Sequence, residues 1–210
     1  MIKRLIFDVD NTLIPWEDKY WYSLNETLIY FEIEPKKELV NKLIEAVDNY
    51  ESEYNTYNLK TMKDIMEKYS GIKLPNNFVY RWTIFLRKCT PDTFDYKLID
   101  TLEYLKSKYD LVVLTNWFTT QQSIRLKRYG ILKYFTKVYG TDNMLNKPNK
   151  ETFIESCLPY KPEECIFIGD TYDVDINGAI DAGLKAIYLT KNDKKDCTII
   201  SNLYELKNIL

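Results

Sequence analysis

Four short apolar runs constrain this chain most: Leu5-Ile6-Phe7, Leu111-Val112-Val113-Leu114, Cys165-Ile166-Phe167-Ile168 and Ala186-Ile187-Tyr188-Leu189. They read as short buried strands, the first extending over Lys3 to Val9 with charge on its flank, and a weaker run surrounds Val138-Tyr139. Helical patterns lie between them. Leu98, Ile99, Leu102 and Leu105 fall on one helix face, as do Phe153, Ile154, Cys157 and Leu158. Strand–helix alternation of this kind argues for a parallel sheet with crossover helices.

One stretch breaks the alternation. From Trp16 to Thr90 only helical faces are legible: Trp21, Leu24, Leu28, Phe31; then Leu39, Val40, Leu43, Ile44, Val47; then Met62, Ile65, Met66, Tyr69; then Phe78, Val79, Trp82, Phe85, Leu86. Pro35, Gly71 with Pro75, and Pro91 punctuate them. The pattern predicts a helical bundle over 16–90, inserted between the first two strands of a core formed by 1–15 and 91–210. Hydrophobic residues at 45% and charged residues at 29% suffice for a packed interior and give no sign of disorder.

Charge and residue usage exclude several classes of function. A net charge of −2, from 29 basic and 31 acidic residues, gives no general attraction to nucleic acid or an anionic membrane. No apolar run approaches the roughly 20 residues of a membrane span. The start, Met1-Ile2-Lys3-Arg4-Leu5-Ile6-Phe7, lacks the pattern of a signal peptide, so the expectation is a cytoplasmic protein. Cys89, Cys157, Cys165 and Cys197 form no C-x-x-C pair and are expected to be buried free thiols. There is no histidine, which excludes Ser-His-Asp and Cys-His nucleophile systems and histidine-bound metal. Chemistry must rest on carboxylates, hydroxyls, lysines or an oxygen-bound metal.

Four features could carry it. Asp8-Val9-Asp10-Asn11-Thr12 ends the first strand, and ligands of parallel sheets bind at the carboxyl ends of strands. Two carboxylates so close repel unless a cation compensates; a hard divalent ion suits them, and magnesium fits. A turn or helix cap would use the same residues. Gly169-Asp170-Thr171-Tyr172-Asp173-Val174-Asp175 follows another strand and opens a helix, so it reads equally as a carboxylate cluster or as helix capping by Asp173. Thr115 and Asn116 follow the second strand and could hold phosphate oxygens or simply begin a turn. Lys147, before Pro148, could neutralise phosphate or a carboxylate, or lie on the surface. All four fall at strand ends or in the loops that follow them, and the combination favours a site.

In these residues the chain resembles the haloacid dehalogenase superfamily. Asp8-Val9-Asp10-Asn11-Thr12 matches its first motif, D-x-D-x-T, with Asn11 in place of the commoner glycine. Thr115 matches the second motif, Lys147-Pro148 the third, and Gly169, Asp170 and Asp175 the fourth, G-D-x-x-x-x-D. The resemblance implies an α/β fold, a three-layer Rossmann-like parallel sheet with an inserted all-helical cap of the C1 type over 16–90. It further implies a magnesium-dependent phosphatase in which Asp8 is the nucleophile and forms an aspartyl-phosphate, while Asp10 is general acid and then base. Asp8, the backbone carbonyl of Asp10, Asp170 and Asp175 would hold magnesium; Thr115, Asn116 and Lys147 would bind the phosphoryl oxygens. A cap admits a small phosphorylated metabolite rather than a macromolecule. Trp16, Tyr20 and Trp82 are candidates for lining its pocket, although helical spacing fits bundle core as well. Two alternatives are a 2-haloacid dehalogenase of the same superfamily, against which Asp10 and the Asp170/Asp175 pair argue, and a non-enzymatic signalling module phosphorylated on aspartate, against which the large helical insert argues.

Overall fold

The apolar runs form strands β1 (Arg4–Phe7), β2 (Asp110–Thr115), β3 (Lys137–Gly140), β4 (Cys165–Gly169) and β5 (Lys185–Leu189), joined by β6 (Thr198–Ile200). They lie in one sheet of order β3-β2-β1-β4-β5-β6, every neighbouring pair parallel. The computed structural model describes residues 1–16, 19–191 and 195–210, and divides into two compact units, Met1–Pro15 with Pro91–Leu210 and Trp16–Thr90. From β1 the chain moves outward to β2 and β3, then returns to the other side of β1 for β4. That reversal opens a crevice at the carboxyl ends of β1 and β4, where ligands bind in sheets of this kind. The edge strand β6 was not anticipated, being only three residues long.

The strands read as unbroken apolar runs because both faces of the sheet are covered. Alternate residues point to opposite layers. Leu5, Phe7, Leu111, Val113, Ile166 and Ile168 enter one core, and Ile6, Val112, Leu114, Cys165 and Phe167 the other. Full burial of each such aliphatic or aromatic side chain is worth about 1.5–3 kcal/mol.

Among its described residues the second unit is helical: α1 (Tyr20–Tyr30), α2 (Lys37–Asp48), α3 (Tyr50–Glu53), α4 (Leu59–Ser70) and α5 (Phe78–Lys88). Helix α1 packs on α5 and α2 on α4. Gly71 ends α4 at φ 74°, a left-handed geometry that favours glycine. Trp21, expected on the buried face of α1, is instead exposed. The buried stripe is Ser23, Leu24, Thr27 and Leu28, rotated away from it. Two hydroxyls can sit there because both are bonded: Ser23 Oγ donates to Lys19 O at 2.8 Å and accepts from Trp82 Nε1 at 2.9 Å, and Thr27 Oγ1 donates to Ser23 O at 2.6 Å.

In the sheet unit, α6 (Tyr96–Lys106) and α10 (Leu206–Ile209) cover the first core with Leu98, Leu102, Leu105 and Leu206. Asp95 caps α6, its Oδ1 accepting from Lys97 N and Leu98 N, each at 3.0 Å. Helix α7 (Thr119–Arg128) follows β2, and α8 (Lys150–Cys157) and α9 (Gly178–Asp181) cover the second core with Phe153, Cys157 and Ala179. Ile154 and Leu158 were grouped with Phe153 and Cys157, yet both are exposed. One step along a helix is about 100° of rotation, enough to turn Ile154 to solvent, and Leu158 lies past the end of α8, where its backbone is no longer helical. Among the cysteines, Cys157 and Cys165 are buried, whereas Cys89 and Cys197 are only half-buried. Among the described residues no helix is long and apolar enough to cross a membrane.

Candidate active site

The site begins where β1 ends. Asp8 follows Phe7, and its N–H still donates to Ile168 O of β4 at 3.0 Å. The chain then turns sharply: Leu13 N and Ile14 N both donate to Val9 O at 2.9 Å, and Asn11 N donates to Ile14 O at 2.9 Å. Asn11 takes φ 59°. Glycine and asparagine are the residues that enter this left-handed region most readily, which explains why asparagine can stand here for glycine. The turn sends the carboxylates of Asp8 and Asp10 to different partners.

Asp8 is buried and accepts from Lys147 Nζ at 2.7 Å, and the same ammonium donates to Asp175 Oδ1 at 2.6 Å. Lys147 comes from the loop after β3. Its backbone is pinned to the end of β2, since Lys147 N donates to Asn116 Oδ1 at 2.7 Å and Asn116 Nδ2 donates to Lys147 O at 3.0 Å. Asp175 sits in a π-helical turn, Tyr172–Asn177, and accepts from Thr171 N at 3.2 Å through Oδ2. A Cβ on Gly169 would lie 2.4 Å from that same oxygen, so only glycine lets Asp175 approach β4 this closely. Asp170 completes the group and accepts a long bond from Thr12 Oγ1 at 3.4 Å.

Carboxylate oxygens of Asp8, Asp170 and Asp175 all lie within 4.8 Å of one another. One ammonium faces three acids. Burial pushes the Asp8 carboxyl up to about 8, Lys147 pulling it down while Asp175 and Asp10 add to the rise. Burial also raises Asp170 to about 6, with Asp175 contributing. Burial alone would lower the Lys147 ammonium, but Asp175 and Asp8 outweigh it and hold it above its usual range. The cluster is short of positive charge, and a set of hard oxygen donors of this kind fits a divalent cation such as magnesium.

Asp10 faces helix α7, none of whose residues belong to the four sequence features. Arg125 Nη1 donates to Asp10 Oδ1 at 2.6 Å, and Gln122 Nε2 donates to Asp10 Oδ2 at 2.8 Å and to Thr115 Oγ1 at 3.1 Å. The available signal was their spacing of three on a helix that directly follows the strand ending in Thr115. Thr115 is buried beside this pair. Asn116, expected to hold phosphate, has its amide oxygen and an N–H engaged with the Lys147 backbone. Asp173, expected as a helix cap, lies in the first turn of the π-helix and accepts from Asn177 Nδ2 at 3.2 Å. Trp82, proposed as a pocket residue, is fully buried in the helical unit, where it packs on Tyr20 with ring centroids 5.7 Å apart. Trp16 and Tyr20 are half-buried and meet edge to face at 5.3 Å.

The fold and this acid-and-lysine centre define a hydrolase of one class, and comparison with known proteins agrees. Residues 5–189 match the family model described as haloacid dehalogenase-like hydrolase, so the chain belongs to that family. It is a phosphatase: relatives matching 93–100% of its length are named as phosphatases. The glyceraldehyde 3-phosphate phosphatase of Methanopyrus kandleri is 30% identical over 93% of this chain and 87% of its own. That of Methanothermobacter thermautotrophicus is 29% identical over 100% of both. Among solved structures, the HAD-hydrolase YfnB of Bacillus subtilis, bound to magnesium, superposes with a TM-score of 0.74 at 22% identity, covering 100% of this chain and 98% of that one.

Proposed function

We propose that this phosphatase hydrolyses a small phosphomonoester of triose-phosphate size through an aspartyl-phosphate on Asp8. The observation that carries the reading is the Lys147 ammonium, 2.7 Å from Asp8 and 2.6 Å from Asp175 at the mouth of the sheet. It leaves a buried carboxylate at the end of the central strand, with cationic charge beside it for an incoming phosphoryl group. Asp8, Asp170 and Asp175, with the backbone carbonyl of Asp10, would hold magnesium, which neutralises charge on the phosphoryl oxygens when bound. Phosphoryl transfer asks mainly for positioning and neutralised charge.

In the first half-reaction Asp8 attacks phosphorus, the ester P–O bond breaks, and Asp10 gives a proton to the leaving alcohol. In the second, Asp10 takes a proton from water as its oxygen bonds to phosphorus and the bond to Asp8 breaks, releasing inorganic phosphate. Thr115 and Lys147 orient the phosphoryl oxygens, and Asn116 holds Lys147 in place. The helical unit 16–90 is proposed as the cap that tests the substrate. Glyceraldehyde 3-phosphate is the first compound to assay, since it is named for relatives matched over nearly all of their length.

Phosphate release from glyceraldehyde 3-phosphate is expected to require magnesium and to stop on chelation with EDTA. Asp8→Asn should lose on the order of 10⁴-fold or more in kcat, the scale on which a nucleophile's removal is felt. Wild-type turnover in that variant would overturn the nucleophile assignment.

A further inference from the structure

Helix α7 buries three polar side chains to which the scheme above gives no task, and two of them, Gln122 and Arg125, reach Asp10. Gln122 is 0% exposed and Arg125 3%. Placing a guanidinium and an amide in the interior is unfavourable unless their hydrogen bonds are made there. One bond from each is made on the same carboxylate: Arg125 Nη1 holds Asp10 Oδ1 at 2.6 Å, and Gln122 Nε2 holds Asp10 Oδ2 at 2.8 Å. Arg125 Nη1 also donates to Gln122 Oε1 at 2.7 Å, which fixes which way the amide points. Through its 3.1 Å bond to Thr115 Oγ1, Gln122 ties this assembly to the hydroxyl at the end of β2. Asp10 remains 35% exposed at its side chain. Each of its oxygens, gripped from one side, keeps a lone pair for a second partner.

We infer that Gln122 and Arg125 are positioning residues that aim the Asp10 carboxylate at the reacting oxygen. This rests on the proposed role of Asp10 as acid and base. The grip serves both half-reactions, but unequally. A leaving group that departs as a stable anion needs no proton, so the first half can proceed without a well-aimed Asp10. Water attacking the aspartyl-phosphate must lose a proton, so the second half cannot. A clamp that merely stabilised the turn after β1 would act differently: its loss would reduce the amount of folded enzyme and leave the survivors fully competent.

The test is rapid-mix kinetics on the full chain with magnesium, comparing p-nitrophenyl phosphate with an alkyl phosphate in wild type, Arg125→Met, Gln122→Leu and Asp10→Asn. With p-nitrophenyl phosphate, both α7 variants should release roughly one equivalent of p-nitrophenol per active site at near wild-type speed, the burst that marks a covalent intermediate. Steady turnover should then be slower by on the order of 10²-fold, the scale of a misplaced acid–base group. With the alkyl phosphate no burst should appear, because the first step is slowed as well. Burst amplitude counts only folded enzyme, and Gln122→Leu retains the Arg125–Asp10 pair, so the test survives if Arg125→Met folds poorly. A parallel fall of both phases, or unchanged turnover in both α7 variants beside a defective Asp10→Asn, overturns the inference alone. An Asp10→Asn enzyme as active as wild type on both substrates overturns the acid–base reading and the inference with it.

Discussion

Gly169 shows how narrowly single residues set this centre. With Asp175 Oδ2 only 2.4 Å from where a Cβ would stand, Gly169→Ala must push Asp175 off Lys147. A displacement on the scale of 1 Å at a reacting centre costs about 10²-fold in rate, and that loss is the expected result in kcat per folded enzyme, with far-UV circular dichroism retained. Unaltered kcat would show that Asp175 has no fixed place in the site. The acids and the lysine were legible in the sequence because their spacing follows the strand ends. Gln122 and Arg125 were not: in Thr119–Arg128 only Ile124 and Leu126 are apolar, so the segment reads as a solvated surface although its polar residues point inward. Asn116 was legible as a site residue but not in its occupation, because an amide can serve a backbone or a ligand and only geometry tells which.

At the scale of elements, Arg4 fastens three pieces of the sheet unit. Its Nε and Nη2 donate to Asp110 Oδ2 at the start of β2, and its Nη1 donates to Ser156 O and Leu158 O at the end of α8. Arg4→Met removes the donor from those carbonyls and from Asp110 Oδ2, and should destabilise by about 3 kcal/mol, the lower range for breaking a buried pair, read as a shift in urea midpoint. The loop from α4 to α5 is held by Glu67, which lies near 2 because Lys63, the Leu74 N–H and Lys73 all donate to it. A carboxyl lowered by folding stabilises above its unfolded value, near 4.5, and that support fades as pH falls toward 2. Glu67→Gln should therefore lower Tm at pH 7, with the gap to wild type closing between about pH 4.5 and 2; a gap that does not change with pH would refute this. Apart from α7, the longer elements were readable because their apolar periods are regular. β6 escaped because three residues carry no period, and Trp21 misled because bonded hydroxyls took the buried stripe in its place.

For the whole molecule, a ligand that binds only the folded state raises stability by mass action. Magnesium at a hundred times its Kd should add about 2.7 kcal/mol, and Asp175→Ala should abolish the gain in a thermal melt. An equal gain in that variant would remove Asp175 from the ligand set. The parallel sheet places Asp8 and Asp170 just past the ends of neighbouring strands, β1 and β4, whose backbones are joined by the Asp8 N–H···O=C Ile168 bond. The spacing of those two acids is thus ruled by a peptide-to-peptide link, to which side-chain identity is irrelevant. Replacing side chains elsewhere, at the surface or in the interior, leaves the distance between these two positions to the backbone alone.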